Sequence, residues 1–262
     1  MATALSMVLC NAPPRLTCDT VAAELRRLDP EAAITELDAD KGDVIAFRVG
    51  GAFVAVMVID MPMPWSDLEG PCATSVMWPQ CTDVVKSHSA HAIVSVMGQL
   101  TPLAQSALLT RLTAAVMAAS DACLGVYWGN ARMLVRKDVF CSFATDMLPD
   151  GPPFHIWVDV RVGRAGTGTS AGYTTGMQAL GHKEFVAACA LEPPVELRKR
   201  LESLSMYVLD NGPVLKNGHT VGESADEKIR IVYGASPFGH EGEVMQLEYR
   251  QAAPDKPWWK LW

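Results

Sequence analysis

Val44-Ile45-Ala46-Phe47-Arg48-Val49-Gly50-Gly51-Ala52-Phe53-Val54-Ala55-Val56-Met57-Val58-Ile59 is the stretch on which the fold turns. Two runs rich in β-branched and aromatic residues flank a Gly-Gly pair, and such a pair closes a tight hairpin because both residues tolerate positive φ. The second run, from Ala52 to Ile59, is apolar at every position, the pattern of a central strand covered on both faces. The whole stretch is the most apolar in the chain, yet Arg48, Gly50 and Gly51 interrupt it. It is too short and too broken to span a bilayer.

Toward the N-terminus, Ala4 to Cys10 reads as a first buried strand. Thr17 caps a helix to about Leu28 that carries Val21, Leu25 and Leu28 on one face, and Asp29-Pro30 stops it. Toward the C-terminus, the Pro-, Met- and Trp-rich segment from Met61 to Val85 suggests short helical pieces, and His88 to Met97 returns to strand. Thr101 caps the clearest helix, with Pro102 at its first position. Leu108, Leu112, Ala115, Val116 and Ala119 fall on one face of it, expected to pack on the sheet. Cys123 to Trp128 is a further strand.

Leu148-Pro149-Asp150-Gly151-Pro152-Pro153 is the best candidate boundary, dividing residues 1–148 from residues 154–262. Beyond it, Phe154 to Val162 and Tyr173 to Leu180 read as strands on either side of a Gly/Thr/Ser-rich loop. Pro193-Pro194 opens a helix with Leu197, Leu201 and Leu204 inside, and Glu196–Arg200 and Arg198–Glu202 pairs outside. Lys216-Asn217-Gly218 is a turn, and Ile229 to Tyr233 with Val244 to Tyr249 bracket a Gly-rich loop. The expected fold is α+β, with mixed, mainly antiparallel sheets and helices packed on one face. It has room for two similar subdomains packed as one compact unit.

The 262 residues are 49% hydrophobic and 19% charged, so a sizeable core is expected and disorder is not. With 22 basic and 29 acidic side chains the formal charge is −7. That sign disfavours nucleic acid or an anionic membrane as the main partner and leaves a basic protein open. The seven cysteines are scattered without a Cys-x-x-Cys pair, which fits reduced thiols better than a disulfide framework. Met1 to Cys10 has neither a basic start nor a clear cleavage pattern. A cytoplasmic location follows as the expectation.

Few local motifs carry chemistry. Gly168-Thr169-Ser170-Ala171-Gly172 spells the nucleophile elbow, but the elbow needs a strand before its serine and a helix after it. Here loop precedes Ser170 and strand-forming Tyr173-Thr174-Thr175 follows, so a hairpin loop is the better reading. The same glycines lack the Gly-Lys-Ser/Thr ending of a phosphate cradle. His88 and His91, with Cys81 upstream, would share a metal only if a bend near Ser89 turned both rings to one side. Along one strand, His155, Trp157 and Asp159 would share a face. His182, Glu184 and the loop Gly239-His240-Glu241-Gly242-Glu243 are titratable groups near turns. The tail Pro257-Trp258-Trp259-Lys260-Leu261-Trp262 is expected to fold back over the body, with a partner contact as the second reading.

The order of short motifs adds a resemblance. His88-Ser89-Ala90-His91-Ala92-Ile93-Val94-Ser95-Val96 precedes a long helix, followed by Gly125-Val126-Tyr127-Trp128 and Phe154-His155-Ile156-Trp157-Val158. Then come Tyr173-Thr174-Thr175-Gly176-Met177, Leu180-Gly181-His182-Lys183-Glu184, Asn211-Gly212 and Gly218-His219-Thr220-Val221-Gly222. From about His88 onward the series resembles the bacterial family called domain of unknown function 4261. The Thr-Thr-Gly-Met segment is also similar to suppressor-of-fused-like domains, which act by binding and occur among toxin-immunity proteins. The resemblance implies a cytosolic α+β protein and supplies no catalytic residues.

The expected function is therefore a non-catalytic protein-binding or immunity-type module engaging a protein partner. The alternative is a small-molecule or metal-dependent enzyme whose pocket collects His88, His91, Trp128, Trp157 and Glu184. No cofactor and no resident metal is expected, and the oligomeric state is left open.

Overall fold

Gly50 takes φ +57° and closes the hairpin between β3 (Val44–Val49) and β4 (Ala52–Ile59), with Val49 facing Ala52. The computed structural model describes residues 3–35, 44–222, 224 and 227–249, so the Trp-rich tail lies outside the described residues. The chain divides into two units, Met1–Asp159 and Val160–Trp262.

In the first unit the hairpin belongs to a seven-stranded sheet with β1 (Thr3–Cys10), β2 (Ile34–Thr35), β5 (Ala90–Met97), β6 (Cys123–Trp128) and β7 (Met133–Arg136). Its order is β2-β3-β4-β5-β1-β6-β7, antiparallel throughout. Register brings Val54 and Val56 of β4 beside Val96 and Val94 of β5, and Val94 beside Ser6 of β1; all five are fully buried. The helices α1 (Cys18–Leu28) and α4 (Pro102–Ala118) lie against this face. Thr17 caps α1 and Thr101 caps α4, each through a side-chain oxygen that accepts a backbone N–H, as the sequence predicts.

One difference concerns α4. Periodicity gives it one apolar face, whereas Leu109, Ala114 and Met117 on other sides are buried as well. The helix lies between the sheet and its neighbours α1 and α5 (Lys137–Ser142), so most of its circumference meets protein and only a narrow stripe through Ala104 and Ala118 is exposed. Its hydroxyls stay satisfied there, because Thr110 and Thr113 donate to the carbonyls of Ser106 and Leu109 at 2.8 and 2.6 Å. Part of the opposite sheet face is closed by α2 (Trp65–Thr74), α3 (Thr82–Lys86) and the link between them, where Leu68, Trp78, Cys81 and Val85 pack against Leu9 and Leu134.

The stretch expected as strand from Phe154 to Val162 begins instead with a helical turn, α6 (Phe154–Trp157). Pro152-Pro153 holds the chain ready for a helix start, and the N–H of Val158 closes the turn on the Phe154 carbonyl. His155, Trp157 and Asp159 therefore do not alternate along one strand.

The second unit carries β8 (Asp159–Gly166), β9 (Thr169–Thr175), β10 (Phe185–Ala190), β11 (Thr220–Val221), β12 (Ile229–Ala235) and β13 (Glu243–Glu248), in the order β11-β12-β13-β10-β9-β8. β10 and β13 run parallel, with Phe185 beside Met245, and the other registered pairs are antiparallel. The helix α7 (Pro194–Asn211) packs on β9, where Gly172 leaves room for the Leu201 side chain. β9 ends at Thr175 rather than running on to Leu180, because Gly176 takes φ +122° and a short helical turn follows at Gln178–Leu180.

The expected exposed pair Glu196–Arg200 does not form: Arg200 is buried and binds Glu192 and Glu227, while Glu196 pairs with Lys199. Arg198 does approach Glu202, at 3.7 Å. Among the described residues no helix is long and apolar enough to cross a membrane.

Candidate functional site

His88 lies just ahead of β5, and its ring is held on both sides. Nε2 accepts the N–H of Met63 at 2.8 Å, which requires the proton to sit on Nδ1, and Nδ1 donates to the carbonyl of Val85. His91, on β5 itself, donates from Nδ1 to the carbonyl of Met61 at 2.7 Å. The two imidazoles thus grip one short segment, Met61 to Met63, that leads from β4 into α2. A metal ligand needs a free nitrogen lone pair, and that of His88 Nε2 is engaged by the Met63 amide. Among the described residues no group of three or more His, Cys, Asp or Glu side chains could hold a metal ion.

Beside His88, an open groove of about 320 Å³ is lined by Pro62, Met63, Pro64, Trp65 and Lys86. The Lys86 ammonium lies 4.6 Å from the Trp65 ring centroid. Convergent polar groups of the sort that orient a small ligand are few here.

Trp128 and Trp157 are core residues. Trp157 is 2% exposed and donates its indole N–H to Thr110 Oγ1 at 2.8 Å. Trp128 packs on Phe140 of α5 with ring centroids 5.6 Å apart. Ser170 lies within β9 at 1% exposure and donates to the carbonyl of Glu192 at 2.6 Å. It is neither at a helix N-terminus nor presented to a substrate, so the elbow fails on geometry too.

Glu184, in the second unit, is 2% exposed, and both of its oxygens accept hydrogen bonds. Its Oε1 accepts the N–H groups of Gly176 at 2.8 Å and Gln178 at 3.1 Å, and its Oε2 accepts the Thr174 hydroxyl at 2.7 Å. Thr174 Oγ1 accepts in turn from the N–H of Phe185. The Thr-Thr-Gly-Met and Leu-Gly-His-Lys-Glu motifs therefore build one object, a turn whose inward amides are capped by a buried carboxylate. His182 follows Gly181, a left-handed residue at φ +87°, and its Nδ1 is buried without a hydrogen-bond partner. Burial pulls the His182 pKa below the ordinary imidazole range.

Outside that turn lies a surface the sequence did not single out as a unit. Tyr173 stacks on Phe238 at 4.9 Å between ring centroids and meets His240 edge-on at 5.1 Å. His240 is bracketed by hydroxyls, with Ser236 Oγ 2.8 Å from Nδ1 and Thr175 Oγ1 3.4 Å from Nε2. Gln178 donates from Nε2 to the Glu241 carbonyl at 2.7 Å, fastening the β12–β13 loop to the capped turn. Phe238 remains 40% exposed. The available signal was the single aromatic in a glycine-rich loop, Pro237-Phe238-Gly239; its neighbour Tyr173 is 65 positions away and is legible only in three dimensions.

Farther along the same sheet, Arg200 forms a fork with Glu192 at 2.9 Å and reaches Glu227 at 2.7 Å, while Tyr249 donates its hydroxyl to Glu192. The Glu192 carboxylate raises the Arg200 pKa, and burial raises that of Tyr249. This network ties the start of α7 to the residues flanking β12 and β13, which is a structural task.

Neither the curated proteins nor the solved structures contain a match to the chain. The family comparison matches residues 173–248, a shorter stretch than the resemblance read from His88 onward, and it does not show the likeness to suppressor-of-fused-like domains. The capped turn, the aromatic loop and the Arg200 network all fall in that stretch or at its border, and residues 173–248 match the family described as domain of unknown function 4261.

Proposed function

We propose that this chain is a non-catalytic protein-binding module, of the kind immunity proteins represent, and that the loop of residues 236–242 with Tyr173 forms its contact surface. One observation carries the reading. Glu184 is engaged internally by the Thr174 hydroxyl and the Gly176 and Gln178 amides, while Tyr173, Phe238 and His240 stand together at the surface with Phe238 exposed. Clustered aromatics with a polar rim are what protein interfaces use as anchors. The charge of −7 favours a basic protein over nucleic acid or an anionic membrane. Five buried thiols suit a reducing compartment such as the cytoplasm. The enzyme reading draws less support, because His88 and Glu184 already have their hydrogen-bonding atoms taken.

The test is co-purification of the tagged chain from its native host, side by side with Phe238→Ala. A stoichiometric partner is expected, with its recovery reduced about tenfold or more by the substitution while thermal unfolding is unchanged. Full recovery with Phe238→Ala would move the contact surface elsewhere. A monodisperse monomer without any partner, found repeatedly, would overturn the binding reading.

A further inference from the structure

Cys10 ends β1 and Cys123 opens β6, and the two are register partners where the β1–β6 ladder slips after Leu9. Their sulfurs are 3.7 Å apart, with Cys10 Sγ–H directed at Cys123 Sγ. Facing residues of an antiparallel pair have Cα atoms about 4.5–5.5 Å apart, inside the range of about 4.4–6.8 Å that a disulfide spans. Joining them asks the sulfurs to close from 3.7 Å to about 2.05 Å, a movement on the scale of a side-chain rotation.

The surroundings of the pair are asymmetric. Lys137 donates from Nζ to the Ser120 carbonyl at 3.0 Å, and the N–H of Cys123 reaches that same carbonyl, so a cation stands on the Cys123 side. Cys123 is also nearer the surface, at 4% exposure against none for Cys10, directly after the turn at residues 120–122. The hydrogen bond donated by Cys10 and the charge of Lys137 draw the Cys123 pKa down, and that same bond raises the Cys10 pKa.

We propose that Cys10 and Cys123 are an oxidisable dithiol that a peroxide converts into a cross-strand disulfide between β1 and β6. Cys123 sulfur attacks one peroxide oxygen, the O–O bond breaks, and the departing hydroxide takes the Cys123 proton as water, leaving a sulfenic acid. Cys10 sulfur then attacks the sulfenic sulfur, the S–O bond breaks, and the second hydroxide takes the Cys10 proton as water. Two thiols lose two electrons to one peroxide, which becomes two waters. This modification does not depend on the binding reading above. It would give a protein of a reducing compartment a covalent response to oxidant at the slipped register of its sheet.

The test uses the full chain, treated with equimolar hydrogen peroxide, alkylated with iodoacetamide and analysed by intact mass and non-reduced peptide mapping. Expected are a loss of about 2 Da before alkylation, reversal by dithiothreitol, and one linked pair joining the Cys10 and Cys123 peptides. Cys10→Ser, the near-isosteric change, should stop the reaction at Cys123 sulfenic acid, about 16 Da heavier and trapped by dimedone. Oxidation confined to exposed Cys189 or half-buried Cys141, a link between Cys72 and Cys81, or no change in mass while the chain stays folded would each overturn the proposal.

Discussion

Replacing Glu184 by alanine should loosen the second unit from one identifiable point. The carboxylate is 2% exposed and accepts three hydrogen bonds, from the amides of Gly176 and Gln178 and from the Thr174 hydroxyl. A buried donor left without an acceptor costs about 1–3 kcal/mol. The Gly176 amide has nowhere else to turn, whereas the Thr174 hydroxyl can rotate and the Gln178 amide lies closer to water. Counting the first near its full value and the others at the low end gives about 3–5 kcal/mol. Glu184→Gln keeps one carbonyl oxygen for the two amides and loses only the acceptor for Thr174, which should cost about 1–2 kcal/mol. Hydrogen exchange of the peptide containing Gly176 and Gln178 reads the turn directly, and urea unfolding reads the unit. With alanine, exchange of these amides should quicken about a hundredfold or more, and with glutamine by much less. If Glu184→Ala left both protection and the urea midpoint at wild-type values, the carboxylate would not be holding the turn. Glu184 would then be available for the enzyme reading.

The His182 pKa lies below that of an exposed histidine because burial disfavours its charged form. The unfolded chain therefore binds the proton more readily, and stability is lost as pH falls from about 6.5 through the lower folded-state value. A wild-type urea midpoint that drops further than that of His182→Gln between pH 7.5 and 5.5 would agree; parallel profiles would not. In the first unit, a Cβ added at Gly125 would come within 2.6 Å of the Val135 carbonyl oxygen and run into the Trp78 ring. Gly125→Ala should cost about 1–3 kcal/mol and lower Tm by several degrees, and an unchanged Tm would show that the strand can yield there.

What was legible in the sequence was what neighbours along the chain decide. Gly50-Gly51 closes its hairpin, Thr17 and Thr101 cap their helices, and Lys216-Asn217-Gly218 turns, because each depends on residues only a few positions away. Distant partners decided the rest. Arg200 looked like an exposed helix charge paired with Glu196, but Glu227, 27 positions on, draws it inward together with Glu192. The His155-Trp157-Asp159 alternation imitated a strand, yet Trp157 lies in a helical turn with its indole anchored on Thr110 of α4. Of the five candidate site residues, Trp128 and Trp157 are core, and His88 and His91 hold one segment in place. Titratable side chains were visible in sequence; the groups that occupy them were not.

That distinction bears on how the family motif is to be understood. A general base must reach a substrate proton, and Glu184, 2% exposed behind the turn, could do so only by opening that turn and releasing the buried Gly176 amide. Opening the turn would also break the contact between Gln178 and the Glu241 carbonyl, and so displace the loop that carries Phe238 and His240. Scaffold and surface are therefore coupled in one direction. Damage at Glu184 should weaken partner binding as well as stability, whereas Phe238→Ala should weaken binding alone. A variant set in which Glu184→Gln folds normally yet loses the partner as completely as Phe238→Ala would break that order and place the carboxylate in the contact itself.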